Sequence, residues 1–269
     1  MNTSRRLRVS MNTTTTTNTN TFERVRDGIA EMGLIVALFM AYEVTRGIAA
    51  GKEAVAFGHA REVMHIEQKL GLFHEISLQT WFLTEPGFVR FLNFIYAYTH
   101  LAVVIAFAIW VYLFHSERYP MIRNTFLLIL GTGLTIYILF PLAPPRFFPY
   151  TGFVDTLKLY SGINYDQQGV SMLYNPFAAM PSLHVGFALF SGIGMIQVGR
   201  RLIHWIMGIT YPLLMALAVV GTANHYILDV IVGALITITA FIVMPRLTAF
   251  VSSRVNRDNQ FEPKRTVSA

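Results

Sequence analysis

Five runs of about 20 apolar residues, 91–114, 125–142, 181–199, 202–220 and 226–244, fill most of this chain beyond residue 90. Coiled as an α-helix, a run of that length spans the ~30 Å hydrocarbon core of a bilayer. Inside lipid every backbone N–H and C=O must be satisfied internally, which leaves helices and closed barrels as the only spanning forms. Continuous apolar runs, without alternation, select the helix. The chain is therefore expected to be all-α and polytopic. A sixth run, 28–49, is interrupted by Glu31, Glu43 and Arg46 and is counted as a further span, giving six transmembrane helices. Charged residues make up only 13% of the 269, about half the ~25% of soluble domains. A surface so poor in ionic groups needs an apolar solvent.

Between the first and second spans, Val63, Ile66, Leu70 and Phe73 recur at three- and four-residue steps with charges between them. That is the pattern of an interfacial amphipathic helix lying on the membrane surface. Residues 1–27 include the tract NTTTTTNTNT, which cannot bury apolar surface and is expected to lack fixed structure, as is the polar stretch from Ser252 onward. The expected organisation is a cytoplasmic N-terminal segment at 1–27, one six-span membrane domain at 28–245 and a cytoplasmic polar tail at 246–269.

An even number of spans puts both termini on one side. The N-terminus carries Arg5, Arg6, Arg8, Arg24 and Arg26, and the C-terminus Arg246, Arg254, Arg257, Lys264 and Arg265. With Arg118, Arg123, Arg200 and Arg201 in the loops on that same side, 14 of the 21 Lys and Arg lie there. The positive-inside rule then places both termini in the cytoplasm of a multi-pass protein of the cell membrane. The net charge of +6 reflects those loops, so no nucleic-acid partner is expected. There is no cysteine, which excludes disulfides and thiolate metal sites. Oligomeric state is not legible.

This topology brings three distant segments to the non-cytoplasmic face: PLAPPRFFP at 141–149, PSLH at 181–184 and GTANHYILD at 221–229. His225 and Asp229 are four apart, neighbours on one helical face. A carboxylate one turn below a histidine can accept its ring N–H, which fixes the tautomer and leaves the other nitrogen as nucleophile or base. Asp229 also lies within an apolar run, where a carboxylate is costly and usually functional. His184 alone could be a packed polar residue at a helix start, a metal ligand or a proton donor. Two histidines and one carboxylate could bind iron or zinc, but the further ligand of a closed zinc site is not evident. Asn224 reads as a cap of the sixth span. His100, at mid-span, reads as a partner in an interhelical hydrogen bond.

These three segments resemble the signature motifs of the type 2 phosphatidic acid phosphatase superfamily. The PLAPPR, PSLH and NHYILD wording is similar to the branch that contains fungal inositol phosphorylceramide synthases and bacterial relatives. The resemblance covers about residues 90–245. It implies a membrane-embedded, metal-independent phosphoryl transfer with no cofactor, on a lipid phosphate or pyrophosphate drawn from membrane lipids. In that reading His225 attacks phosphorus, Asp229 supports its imidazolium, and His184 protonates the leaving alcohol. From the residues themselves, Arg146 is the expected grip on the phosphate oxygens, with the Ser182 hydroxyl as a further donor and Lys158, in the same outer loop, as the substitute for the cations missing from the family's pattern. The sequence departs from the wider family at Leu183, where Gly is usual, and at Leu139 and Val219, where the family has Lys and Arg. Water as acceptor gives a phosphatase. A lipid, sugar or inositol alcohol gives a phosphotransferase such as an inositolphosphotransferase. A non-catalytic binding protein with a degenerate site and a metal-dependent membrane hydrolase are the rivals from other classes.

Overall fold

The computed structural model describes residues 31, 33–34, 37–38, 40–45, 47–48, 51–161 and 175–261. The segment 1–27, much of the expected first span at 28–49, and residues 262–269 lie outside them. The chain divides into two units, Met1–Tyr42 and Glu43–Ala269. In the first, the described positions are all helical. The second unit carries the site.

Among the described residues all regular structure is helical: α1 Glu53–Leu70, α2 Glu75–Leu83, α3 Pro86–Phe114, α4 Tyr119–Leu139, α5 Thr156–Tyr160, α6 Leu183–Val198, α7 Leu202–Gly221 and α8 Ile227–Phe261. Proline at the start of α3, where its missing N–H costs nothing, marks that entry. Four of these helices, α3, α4, α7 and the part of α8 up to Arg254, are long and apolar enough to cross a membrane. Each overlaps one of the apolar runs legible in the sequence, though α4 stops at Leu139, short of the expected end at 142. The run at 181–199 forms α6, an apolar helix of 16 residues. Helix α8 continues past the apolar run to Phe261, so part of the stretch expected to lack structure is helical.

Only 28–33% of the most apolar stretch of each long helix is buried inside the protein. The outer faces carry rows such as Leu101, Ile105 and Ile109 on α3 and Ile206, Ile209 and Leu213 on α7, all exposed. Helices apolar on their outer as well as their inner faces require an apolar surrounding. The protein is accordingly a membrane protein of all-α class.

Helix α6 packs against α3, α4, α7 and α8. Its approach to α7 depends on two glycines: a Cβ on Gly192 would overlap the Gly208 carbonyl, and one on Gly208 would come within 2.7 Å of the Gly192 carbonyl. Small residues let backbones close in where lipid offers no hydrophobic drive. On α8, a Cβ at Gly233 would overlap the Ser182 carbonyl, so that glycine lets α8 seat directly against the start of α6.

The stretch expected to be amphipathic forms helix α1, which buries one face against the protein. Ala56, Ala60, Val63, Met64 and Glu67 are buried, whereas Ile66 is 46% and Leu70 61% exposed. The small alanines let α1 pack closely on the 141–149 segment, where Ala56, Ala60 and Val63 share a core with Leu142, Phe148, Phe177 and Tyr226. The Lys52 ammonium donates to the Ile138 carbonyl at 2.9 Å. His59 donates to Pro141 O at 2.8 Å and stacks on Phe140.

Candidate active site

The three segments at 141–149, 175–184 and 221–229 are stitched together by backbone hydrogen bonds. Leu142 N–H donates to Phe177 O (2.8 Å) and Ala179 N–H to Leu142 O (3.2 Å), a short parallel bridge. Arg146 N–H donates to Ala223 O (2.9 Å) and Ser182 N–H to Asp229 O (3.0 Å). Tyr137 on α4 adds a hydroxyl bond to Pro181 O at 2.9 Å. Segments about 80 residues apart in sequence thus form one unit at the ends of α4, α6, α7 and α8.

At its centre is His225, in the turn between α7 and α8 and 3% exposed. Its Nδ1 lies 2.7 Å from the Ala179 carbonyl. A carbonyl can only accept, so Nδ1 carries the proton and Nε2 keeps its lone pair. Asp229 Oδ2 is farther from the same nitrogen, at 3.4 Å, and accepts the Tyr226 N–H at 2.9 Å. The carboxylate therefore secures the first turn of α8 and stands second to Ala179 in orienting the ring, a different division of labour from the one expected. Burial pulls the His225 pKa down to about 3; the Ala179 bond opposes this and the Arg146 charge adds to it. The imidazole is neutral at physiological pH, as a nucleophile must be.

His184, in the first turn of α6, places its ring centroid 5.6 Å from that of His225. Two side chains of α3 bear on its other side: Tyr96 stacks at 4.4 Å and His100 lies at 4.3 Å. Tyr96 belongs to a π-helical turn, Ile95–Thr99, a distortion often found at functional sites. His100, expected to bridge helices by a hydrogen bond, instead packs its ring on His184, and its buried Nδ1 has no hydrogen-bond partner among the described residues.

A cavity of about 30 Å³ opens between the histidines, lined by Tyr96, Pro144, Asn175, Ala179, Asn224 and both imidazoles among others. It holds two or three water-sized groups at ~10–15 Å³ each. None of the three side chains expected to bind phosphate lines it. Arg146 is 4% exposed and donates to Asn224 Oδ1, while Asn224 Nδ2 bonds Thr222 Oγ1 at 2.6 Å. Asn224 is thus a bracket for Arg146 at the cavity wall, not a cap of α8. Ser182 is fully buried, and its Oγ accepts the Val185 N–H at 3.4 Å as the N-cap of α6. Lys158 is exposed on the short helix α5 and does not reach the cavity.

Helix α8 is capped from outside. Glu67 of α1 accepts the Leu228 N–H at 2.7 Å, and Glu75 of α2 accepts the Ile227 N–H at 3.0 Å. Both carboxyls are fully buried and hydrogen-bond each other, and burial with that bond raises the Glu67 pKa to about 9. Two carboxyl groups sharing one proton on a helix N-terminus satisfy donors that the helix itself cannot. Sequence reasoning missed both glutamates. The available signal was that Glu67 shares a helical face with Ala56, Ala60 and Val63, where a charge is out of place. Asn175 gave no signal beyond an Asn-Pro turn.

Among the described residues no three His, Asp or Glu side chains are grouped as metal ligands. The sequence model of the PAP2 superfamily matches residues 61–243. No curated protein and no solved structure matches the chain.

Proposed function

This chain belongs to the PAP2 superfamily, and from that premise we propose that it is a membrane lipid phosphatase working through a phosphohistidine on His225. The superfamily usually carries phosphoesterase activity. The observation that carries the reading is the state of His225: proton on Nδ1, held by Ala179, with a bare Nε2 at the cavity beside His184.

In this mechanism Nε2 attacks phosphorus, an N–P bond forms and the bond to the leaving oxygen breaks. His184 acts as the acid, taking up a proton as the anionic substrate binds and giving it to that oxygen. Asp229 and the Ala179 carbonyl support the imidazolium. Water then attacks phosphorus, His184 takes its proton, and the N–P bond breaks to release phosphate and restore both imidazoles. Splitting the transfer requires a nucleophile and a separate acid/base, each worth orders of magnitude in rate. Arg146, held on Asn224 at the cavity wall and close enough to act on His225 electrostatically, adds a positive field around the phosphoryl group without contacting it.

A second reading follows from Leu139 and Val219. Leu139 is 74% exposed and Val219 fully buried, so neither position supplies a cation. A substituted phosphoryl group carries one negative charge fewer than a phosphate monoester and needs fewer cations, which favours transfer of such a group to an alcohol, as in the branch of inositol phosphorylceramide synthases. In both readings the site faces away from the cytoplasm and the substrate enters from the lipid.

The test is turnover of lipid phosphates, lipid pyrophosphates and phosphodiester lipids by the detergent-purified protein in EDTA, with water or added alcohols as acceptor. Activity that survives EDTA, is blocked by vanadate and is lost in His225→Ala supports the mechanism. Activity abolished by EDTA and restored by a divalent ion would replace it with a metal-dependent hydrolase.

A further inference from the structure

The wall of the cavity contains a donor with no assigned partner. Asn175 is 4% exposed and lines the cavity together with His184 and His225. Its Oδ1 accepts the Phe177 N–H at 3.1 Å, an Asx turn that starts the segment leading to Pro181. An N–H requires an acceptor, so this bond fixes which end of the amide is oxygen. The Nδ2 group is the other end, and it has no hydrogen-bond partner among the described residues. A buried amide donor left without an acceptor is destabilising, and such groups in native proteins call for an explanation. Here the explanation is a ligand atom that only accepts.

We propose that Asn175 is a phosphoryl-binding residue, its Nδ2 donating to a non-bridging oxygen of the group that His225 receives. The inference rests on the reading of His225 as nucleophile and deepens it. It answers how the site holds phosphate without cations at 139 and 219. Arg146 is turned onto Asn224, and Ser182 is occupied with the N–H of Val185. A neutral amide fixed in the cavity wall by its bond to Phe177 is pre-oriented for the phosphoryl oxygen and needs little reorganisation when charge develops there. It also discriminates by geometry, since a carboxylate in its place would repel the same oxygen.

The turn and the donor can be separated by one substitution. Asn175→Asp retains an oxygen for the Phe177 N–H, and Asp is a good residue for an Asx turn, so a purely structural Asn175 would tolerate it. The donor role would not, because the nitrogen becomes a carboxylate oxygen facing an anion. Orthovanadate is the probe, and its apparent Kd is read from the rise in Tm it causes, so the binding measurement does not depend on turnover. Asn175→Asp is expected to keep the wild-type Tm without vanadate within a few degrees, to weaken vanadate at least 30-fold and to lower kcat/KM at least 100-fold. Asn175→Ala, which loses both ends, is expected to weaken vanadate at least tenfold. Vanadate affinity within threefold of wild type in either variant overturns the assignment, and if the Asp variant does not fold the Ala variant decides. His225→Ala is run alongside: wild-type turnover there would remove the nucleophile reading itself, whereas an inactive His225→Ala with vanadate-tight Asn175 variants would remove only the role of Asn175.

Discussion

Glu67 offers a perturbation whose two outcomes separate capping from ordinary packing. Glu67→Ala leaves the Leu228 N–H without an acceptor and Glu75 without its hydrogen-bond partner. One unsatisfied buried donor costs about 1–3 kcal/mol, and the lost Cγ methylene adds roughly 0.8 kcal/mol. A total of about 3 kcal/mol lowers Tm by ~6–12 °C for a domain of this size. Glu67→Gln retains the carbonyl oxygen for Leu228 and adds an N–H for Glu75, so it mimics the protonated acid. The folded-state pKa of about 9 lies above the ordinary value of 4.5. Stability from this proton is therefore full below pH 4.5 and is lost as pH climbs through 9, at up to about 1.4 kcal/mol per pH unit. Between pH 6 and pH 8 the Gln variant should gain up to about 3 kcal/mol on wild type, or ~6–12 °C. The assay is thermal unfolding of wild type, Glu67→Ala and Glu67→Gln in detergent at both pH values. A Gln variant that falls as far as the Ala variant, or follows the wild-type pH dependence, refutes the shared proton.

Three further outcomes are expected. Burial holds His225 near pKa 3 against its ordinary 6.5, so stability from the neutral ring is full above pH 6.5 and drains as pH falls toward 3; His225→Gln should lose less Tm than wild type between pH 7 and pH 5, and an equal loss contradicts the shift. Arg146→Lys removes the guanidinium fork that Asn224 grips and should cut kcat/KM ~10–100-fold with Tm within a few degrees of wild type, which steady-state kinetics and a thermal scan check together. Tyr150 is 72% exposed and the chain has no native cysteine; Tyr150→Cys in intact cells should react with an impermeant maleimide, and labelling only after permeabilisation would reverse the orientation.

The long helices were legible because apolar runs of membrane length admit few other structures, and the described helices α3, α4, α7 and α8 overlap the expected runs. The convergence of 141–149, 181–184 and 221–229 was legible too, because alternating spans place every second loop on the same side. The contents of the cavity were less so. Periodicity finds a helix, but it cannot say which of two adjacent stripes turns inward, and on α1 the alanine stripe won because small side chains permit closer approach. Spacing correctly makes His225 and Asp229 neighbours. It could not reveal that the Ala179 carbonyl, 46 residues upstream in the chain, would be the closer partner of Nδ1. Backbone acceptors have no signature in a sequence, and neither does an amide such as Asn175 whose second end is left open.

The central claim is a covalent bond between phosphorus and His225, and trapping it is the most direct test. The protein is mixed in EDTA with a lipid phosphate labelled with radioactive phosphorus and quenched in detergent within the first turnovers. The label should remain with the protein in alkali, be released by mild acid as phosphoramidates are, and map to the peptide containing His225. It should be absent in His225→Ala and accumulate in His184→Ala if loss of the base slows the second step more than loss of the acid slows the first. Label on another residue, or full turnover by His225→Ala, would contradict the account.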